Sequence, residues 1–272
     1  MHPQPLTRRQ LQDFAANGFL HVPSMVPESE LAAPDRDSLA LIERGIGGPF
    51  GDDRWRYGED PELGKAHCLY RVNDLAAADM PPSFQILLAY PPLLAAVSQL
   101  VGGDQFAASV HALVFKLPRH GVPARWHQDP VKVFRFPVFN MDIYLDEATV
   151  DNGCLRVFPG SHLTGHHAPD EHPEFIRSWT NGSDESDARV AIPVPVKRGD
   201  VIFHATTVIH GSPWNRSDDL RRTVYFHFDH RLDVELAGDR WPQRRFAEAR
   251  AVTARAVEAR ARLYPDEAPF SY

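Results

Sequence analysis

The chain has 272 residues, 43% hydrophobic and 24% charged, which is ordinary for a globular protein and ample for a core. Its 29 basic and 36 acidic residues give a formal net charge of -7, and no basic stripe precedes the C-terminal arginines, so no nucleic-acid partner is expected. No apolar run approaches the ~18 residues of a membrane span, and no signal-peptide pattern opens the chain. The two cysteines, Cys68 and Cys154, form neither a CxxC motif nor a disulfide framework, so a cytoplasmic setting is the expectation.

Thr7 is placed to cap a helix through Arg8 and Ala16, with Gly18 as its C-terminal stop. Phe19 to Val22 reads as a short strand. A second helix is predicted within Glu28 to Arg44, with Pro34 interrupting it or marking its first turn. Gly45 to Asp60, which holds Trp55 and Tyr57, reads as a surface loop. Pro92 to Val101 reads as a helix stopped by Gly102 and Gly103.

From Gln105 the pattern turns strand-like, over Phe106 to Leu117, Val131 to Phe134 and Val138 to Leu145. Asp151-Asn152-Gly153 is a turn leading into a strand over Cys154 to Phe158, and Pro159-Gly160-Ser161-His162 turns the chain again. His166 to Asp187 is polar and reads as an excursion from the core. Ala191 to Val196 is extended, Gly199-Asp200 is a hairpin-type turn, and Val201 to His204 and Thr223 to Phe228 are strands. Pro242 to Leu263 closes the chain as an amphipathic helix resting on the core.

Many short strands with Gly and Pro turns, flanked by helices, predict a mainly β fold. A closed or double-sheet architecture fits, namely a double-stranded β-helix (jelly-roll, cupin-like) core. One domain over 1–272 is expected: a helical part to about 104, the jelly-roll over about 105–230, and a last helix over about 242–263.

The chemistry gathers at Trp126-His127-Gln128-Asp129-Pro130. On a strand, residues two apart share a face, so His127 and Asp129 project an imidazole and a carboxylate into one space. That pair suits a divalent first-row metal, and a third ligand from elsewhere would complete a facial triad. Taken alone, H-x-D equally fits a surface His and Asp near a turn. The downstream partner is His210, in Val208-Ile209-His210-Gly211-Ser212-Pro213-Trp214-Asn215, and Arg221 lies beyond it.

His127-Gln128-Asp129, Asn152-Gly153-Cys154-Leu155, Pro159-Gly160-Ser161-His162, Gly199-Asp200, His210-Gly211-Ser212 and Asn215 followed by Arg221 resemble the phytanoyl-CoA dioxygenase family. The resemblance runs from about Leu6 to Arg222 and includes the opening Phe14-Ala15-Ala16-Asn17-Gly18-Phe19. It implies an Fe(II)- and 2-oxoglutarate-dependent dioxygenase that uses O2. The reaction implied is hydroxylation of an unactivated C–H bond in a small-molecule substrate, with release of succinate and CO2. Desaturation, cyclisation or epimerisation on the same iron remain open, as does a non-catalytic metal-binding jelly-roll. Family members act on acyl thioesters, amino acids and secondary metabolites, and no basic run here is placed for a CoA phosphate. Oligomeric state is open.

By the same resemblance His127, Asp129 and His210 are the iron ligands, and Arg221 holds the distal carboxylate of 2-oxoglutarate. Arg222 should point the other way, and a register error of one would exchange the two. The surface alternative for both is an ion pair with Asp218 or Asp219. Ser212 and Lys116 are further cosubstrate candidates, although an exposed strand lysine equally describes Lys116. Asn140 and Asp142 share a face with Tyr144 that points into the barrel, unless Met141 and Ile143 do. His204, Trp126 and Trp214 are pocket candidates. Because Asp129 is present, halogenation is disfavoured. His162, His166, His167 and His172 match no zinc spacing and read as solvated, with His162 making a structural hydrogen bond in its turn.

Overall fold

The computed structural model describes residues 5–48, 51–60, 64–129, 139–167, 174–177, 191–237 and 243–271. Helix α1 (Arg8–Asn17) begins at Thr7, whose hydroxyl accepts from Gln10 N while the Gln10 side chain returns to Thr7 N. It ends at Gly18, which is left-handed at φ 78°. A Cβ there would stand 2.5 Å from His162 Nδ1, so both the turn and the close approach demand glycine. Strand β1 (Phe19–Val22) and helix α2 (Glu28–Ile46) follow, with Pro34 inside α2.

Gly45 to Asp60 is not wholly a loop. Trp55–Asp60 forms strand β2 against β3 (Lys65–Asn73), with two register shifts. Its Gly and Asp content suits an irregular edge strand, which is why it reads as loop from composition. Helices α3 (Ser83–Leu88) and α4 (Pro91–Val101) lead into β4 (Phe106–Lys116), β5 (Ala124–His127), β6 (Phe139–Tyr144) and β7 (Leu155–Val157). After them come β8 (Ile192–Val194), β9 (Val201–Ala205), β10 (His210–Ser212), β11 (Arg221–His230), α5 (Arg231–Ala237) and α6 (Gln243–Leu263). The expected strand over Val131 to Phe134, Val138, most of the 166–187 excursion with His172, and Pro242 lie outside the described residues.

The strands form two antiparallel sheets. The larger runs β1-β9-β6-β11-β4-β3-β2 and the smaller β5-β10-β7-β8. One face of the large sheet, with Phe115, Phe139, Met141, Ile143, Phe203 and Phe226, packs on the helices through Leu31, Phe84, Leu87, Leu93 and Val97. Its other face meets the small sheet around Tyr144, Leu155, Val157, Val194 and Ile202. Side chains alternate between these faces. Met141 and Ile143 therefore serve the helix side, while Asn140, Asp142 and Tyr144 point between the sheets. Among the described residues no helix is long and apolar enough to cross a membrane. Cys68 and Cys154 are both buried.

Candidate metal centre and cosubstrate cavity

His127 ends β5 and His210 opens β10, and the two sit opposite one another in the strand pair. Cross-strand neighbours are close enough for their side chains to meet, and here the ring centroids lie 4.2 Å apart. Asp129 lies just past β5, fixed by its backbone N–H to Thr206 O at 2.8 Å. Its Oδ1 is 3.8 Å from His127 Nε2 and 4.0 Å from His210 Nε2. Each of the three residues offers one ligand atom, and these atoms all lie within 4.8 Å of one another.

Hydrogen bonding decides which atoms face inward. His127 Nδ1 meets Arg125 O at 2.7 Å, and His210 Nδ1 meets Val208 O at 2.9 Å. A carbonyl only accepts, so each Nδ1 carries the proton and each Nε2 presents a lone pair. Asp129 Oδ2 accepts from the Asn140 amide at 2.6 Å, leaving Oδ1 turned towards the imidazoles. Asn140 Oδ1 in turn accepts from Tyr225 OH and faces His227 Nδ1, both at 2.8 Å, and His227 Nε2 faces Asp229 at 3.1 Å.

Electrostatics favour a bound cation. Burial would raise the Asp129 carboxyl, but His210 and His127, with His204 and His227 behind them, hold it at about 2. Burial and the neighbouring His127 push the His210 imidazole down to about 3 against the pull of Asp129. Near neutral pH the cluster thus offers one carboxylate and a neutral His210, the forms that bind metal. Two imidazoles and one carboxylate leave further positions free on an octahedral ion, the donor set of a non-haem Fe(II) oxygenase.

The donors open into a cavity of about 150 Å³ between the sheets. Of the residues singled out in the sequence, Arg221, Ser212, Asn140, Asp142 and His204 line it. His204 Nε2 meets Asp142 Oδ2 at 3.1 Å. Burial lowers the His204 imidazole, but the Asp142 carboxylate more than offsets this, and the net shift is upward. Arg221 donates from Nη1 to Gly153 O at 2.7 Å. Gly153 is left-handed at φ 82°, and a Cβ on it would stand 2.5 Å from Pro213 O, so the turn that aims this carbonyl requires glycine. Asn215, whose amide donates to Asp219 O at 2.7 Å, ties the loop that leads into β11. Arg221 Nε and Thr223 Oγ1 are buried beside the cavity with no hydrogen-bond partner among the described residues. Orphaned donors of this kind fit an anionic acceptor such as the carboxylate of a 2-oxo acid.

Several expectations need correction. Lys116 is buried rather than exposed, and its ammonium donates to Val122 O at 2.6 Å and Ser212 O at 3.4 Å, outside the cavity lining. Both faces of β4 are covered, so its lysine must bond inside the fold. Trp126 does not wall the cavity. It precedes His127 on β5, points to the opposite side and packs on Phe158 with centroids 4.8 Å apart. Trp214 lies past the end of β10 and is likewise outside the lining. Arg222 makes no surface pair with Asp218 or Asp219; it is buried against Asp146 and Asp35, each at 2.7 Å. Among the predicted solvated histidines, His162, His166 and His167 are half-buried. His162 Nε2 meets Ala15 O at 3.0 Å, the structural bond expected of its turn, and His167 stacks on Phe175.

Thr223, Tyr225, Val114 and Arg71 also line the cavity and were not anticipated. For Thr223 and Tyr225 a signal existed, since they lie two and four places after Arg221 on one strand face. Arg71 had none, because β3 was not read as a strand.

Two facing antiparallel sheets with this His-Asp-His set in the cavity between them define a class, the cupin-like non-haem iron oxygenases. The phytanoyl-CoA dioxygenase (PhyH) model matches residues 14–223. A Rattus norvegicus protein, phytanoyl-CoA dioxygenase domain-containing protein 1, is 31% identical over 169 residues, covering 59% of this chain and 55% of that protein. The chain thus spans about half the length of that curated relative. Among solved structures, AviO1 from Streptomyces viridochromogenes Tue57 is 29% identical with a TM-score of 0.67, covering 81% of this chain and 93% of that one. EctD from S. alaskensis, solved with 2-oxoglutarate and 5-hydroxyectoine, shares the fold at 19% identity and a TM-score of 0.66, covering 86% and 79%. The chain belongs to the phytanoyl-CoA dioxygenase family of Fe(II)- and 2-oxoglutarate-dependent oxygenases, which also consume O2.

Proposed function

We propose that this chain is a hydroxylase: a C–H bond of a small molecule, O2 and 2-oxoglutarate become an alcohol, succinate and CO2. The observation that carries the reading is the convergence of His127, Asp129 and His210 on one cavity with the unpartnered donors of Arg221 and Thr223. His127 Nε2, His210 Nε2 and Asp129 Oδ1 would hold Fe(II), and the bound metal would supply the oxidising chemistry drawn from O2 and the 2-oxo acid. Arg221 would pair with the distal carboxylate of 2-oxoglutarate, with Thr223 and Ser212 beside it. Burial, with Asp142 and Asp129 nearby, keeps the Tyr144 and Tyr225 hydroxyls protonated, so they act as hydrogen-bond donors and not as bases. No protein general base is required. Asp129 occupies the position that a halide would need, which favours return of oxygen to the substrate.

Purified protein given Fe(II), 2-oxoglutarate and O2 should release succinate slowly without substrate, and His210→Ala should abolish this. A substrate screen by succinate release would then identify the substrate. With labelled O2, the product should gain one oxygen that is largely labelled. A product lighter by two hydrogens, or isomeric with the substrate, would defeat the hydroxylase reading and leave the iron site standing. Absence of succinate from the wild type would defeat both.

A further inference from the structure

Among the described residues two arginines line the cavity, and only Arg221 has a use so far. Arg71 comes from β3. Its Nε donates to Asn73 Oδ1 at 2.6 Å, and its guanidinium carbon lies 5.1 Å from the centroid of the Tyr225 ring. These two contacts fix the plane of the guanidinium and leave its terminal amino groups unassigned. Arg54, Arg198, Arg222 and Arg260 each have carboxylate partners, whereas Arg71 has none among the described residues. A half-buried guanidinium that faces a cavity and has no carboxylate partner among the described residues is suited to an incoming oxyanion.

Its placement separates it from the cosubstrate anchor. Arg71 pairs with Val114 on β4, and Val114 pairs with Thr223 on β11. The apolar Val114 therefore stands between Arg71 and the Arg221/Thr223 donors. Arg71 is also tied to the metal ligands. It lies over Tyr225, whose hydroxyl donates to Asn140, which donates to Asp129. An anion held at Arg71 would thus sit at a fixed remove from the iron, about the breadth of a tyrosine plus an asparagine side chain.

We propose that Arg71 is the substrate-recognition residue, binding a carboxylate or phosphoryl group on the primary substrate while Arg221 takes the cosubstrate. This rests on the oxygenase reading of the cavity. The test uses the full chain loaded with Mn(II) and saturated with N-oxalylglycine, an unreactive analogue of 2-oxoglutarate. Hexanoate, hexyl phosphate and hexanamide are then titrated by calorimetry. One or both anions should bind about tenfold or more tightly than the amide, and the stronger one identifies the group. Arg71→Gln should erase that preference, while N-oxalylglycine affinity stays within about twofold. Arg71→Lys should keep the charge but lose part of the preference, and it serves as the reading should the Gln variant fail to fold. The proposal is overturned if wild type shows no preference for either anion, or if the preference persists in Arg71→Gln or is undiminished in Arg71→Lys. It is also overturned if N-oxalylglycine binding falls alongside that of the anion. Failure of the oxygenase reading would show separately, as wild type that binds no N-oxalylglycine.

Discussion

An asparagine amide can donate to one carboxylate and accept from two other groups at once. Asn140 does so, donating to Asp129 Oδ2 and meeting Tyr225 OH and His227 Nδ1 with its oxygen. It thereby fixes which Asp129 oxygen faces the imidazoles. Leucine at this position keeps the volume and removes every one of these bonds. Asn140→Leu is expected to weaken Mn(II) or Fe(II) binding by about 10–100-fold with the fold retained, as loss of a ligand-orienting partner generally does. Unchanged metal affinity by calorimetry would mean that Asp129 is oriented by the backbone bond to Thr206 alone. His127 and Asp129 could be singled out in the sequence as an imidazole and a carboxylate at strand spacing, while His210 joined them through the family resemblance, and the three fall together as a candidate metal site. Asn140 was readable only as one of two faces of a strand, since the choice depended on where the helices lie.

At the scale of the strand, β11 separates two neighbouring arginines by alternation alone. Arg221 faces the cavity, whereas Arg222 faces α2, where it meets the Asp35 carboxylate and carbonyl and Ser38 Oγ, and pairs with Asp146 just past β6. Its guanidinium is held charged by these partners, against burial that would lower it. Arg221→Lys should raise the KM for 2-oxoglutarate, because the fork is lost while the charge stays. Arg222→Met should leave that KM alone and lower stability by about 2–3 kcal/mol, since it strands the half-buried Asp146 and leaves Asp35 to Arg198 alone. The opposite ranking in kinetics and chemical denaturation would place the anchor on Arg222. The alternation of β11 was legible from its residues, and Thr223 and Tyr225 could have been taken from it too. Lys116 and Arg71 could not, because their surroundings depend on the order β3-β4-β11, which no local pattern reports. The Trp126 expectation failed for a simpler reason: a residue adjacent to a ligand on a strand points away from it.

For the whole molecule, the buried histidine on the helix side of the large sheet gives a pH signature. His111 packs edge-on to Phe226, with ring centroids 6.0 Å apart, and its Nε2 has no partner among the described residues. Burial lowers its imidazole from 6.5 to about 4. The unfolded chain therefore takes the proton first as pH falls. The stability linked to His111 is complete above 6.5 and is lost between there and about 4, by at most roughly 3 kcal/mol. His111→Leu should show a smaller drop in Tm than wild type when the pH is lowered from about 7.5 to about 5. An equal drop in both proteins would assign the acid sensitivity to other groups.

The strand order also governs how the chain reaches this state. β11 is the last of the described strands in sequence, yet it lies between β4 and β6 in the middle of the large sheet. During synthesis, β4 and β6 must wait with unpaired inner edges until residues 221–230 have emerged. Contacts so distant along the chain form slowly, and open edges in the interval invite association with other nascent chains. The same insertion delivers Arg221, Thr223 and Tyr225 to the cavity together. A ribosome-bound fragment lacking β11 would therefore be without both its central strand and the proposed 2-oxoglutarate anchor, so the cavity would be completed in one late step.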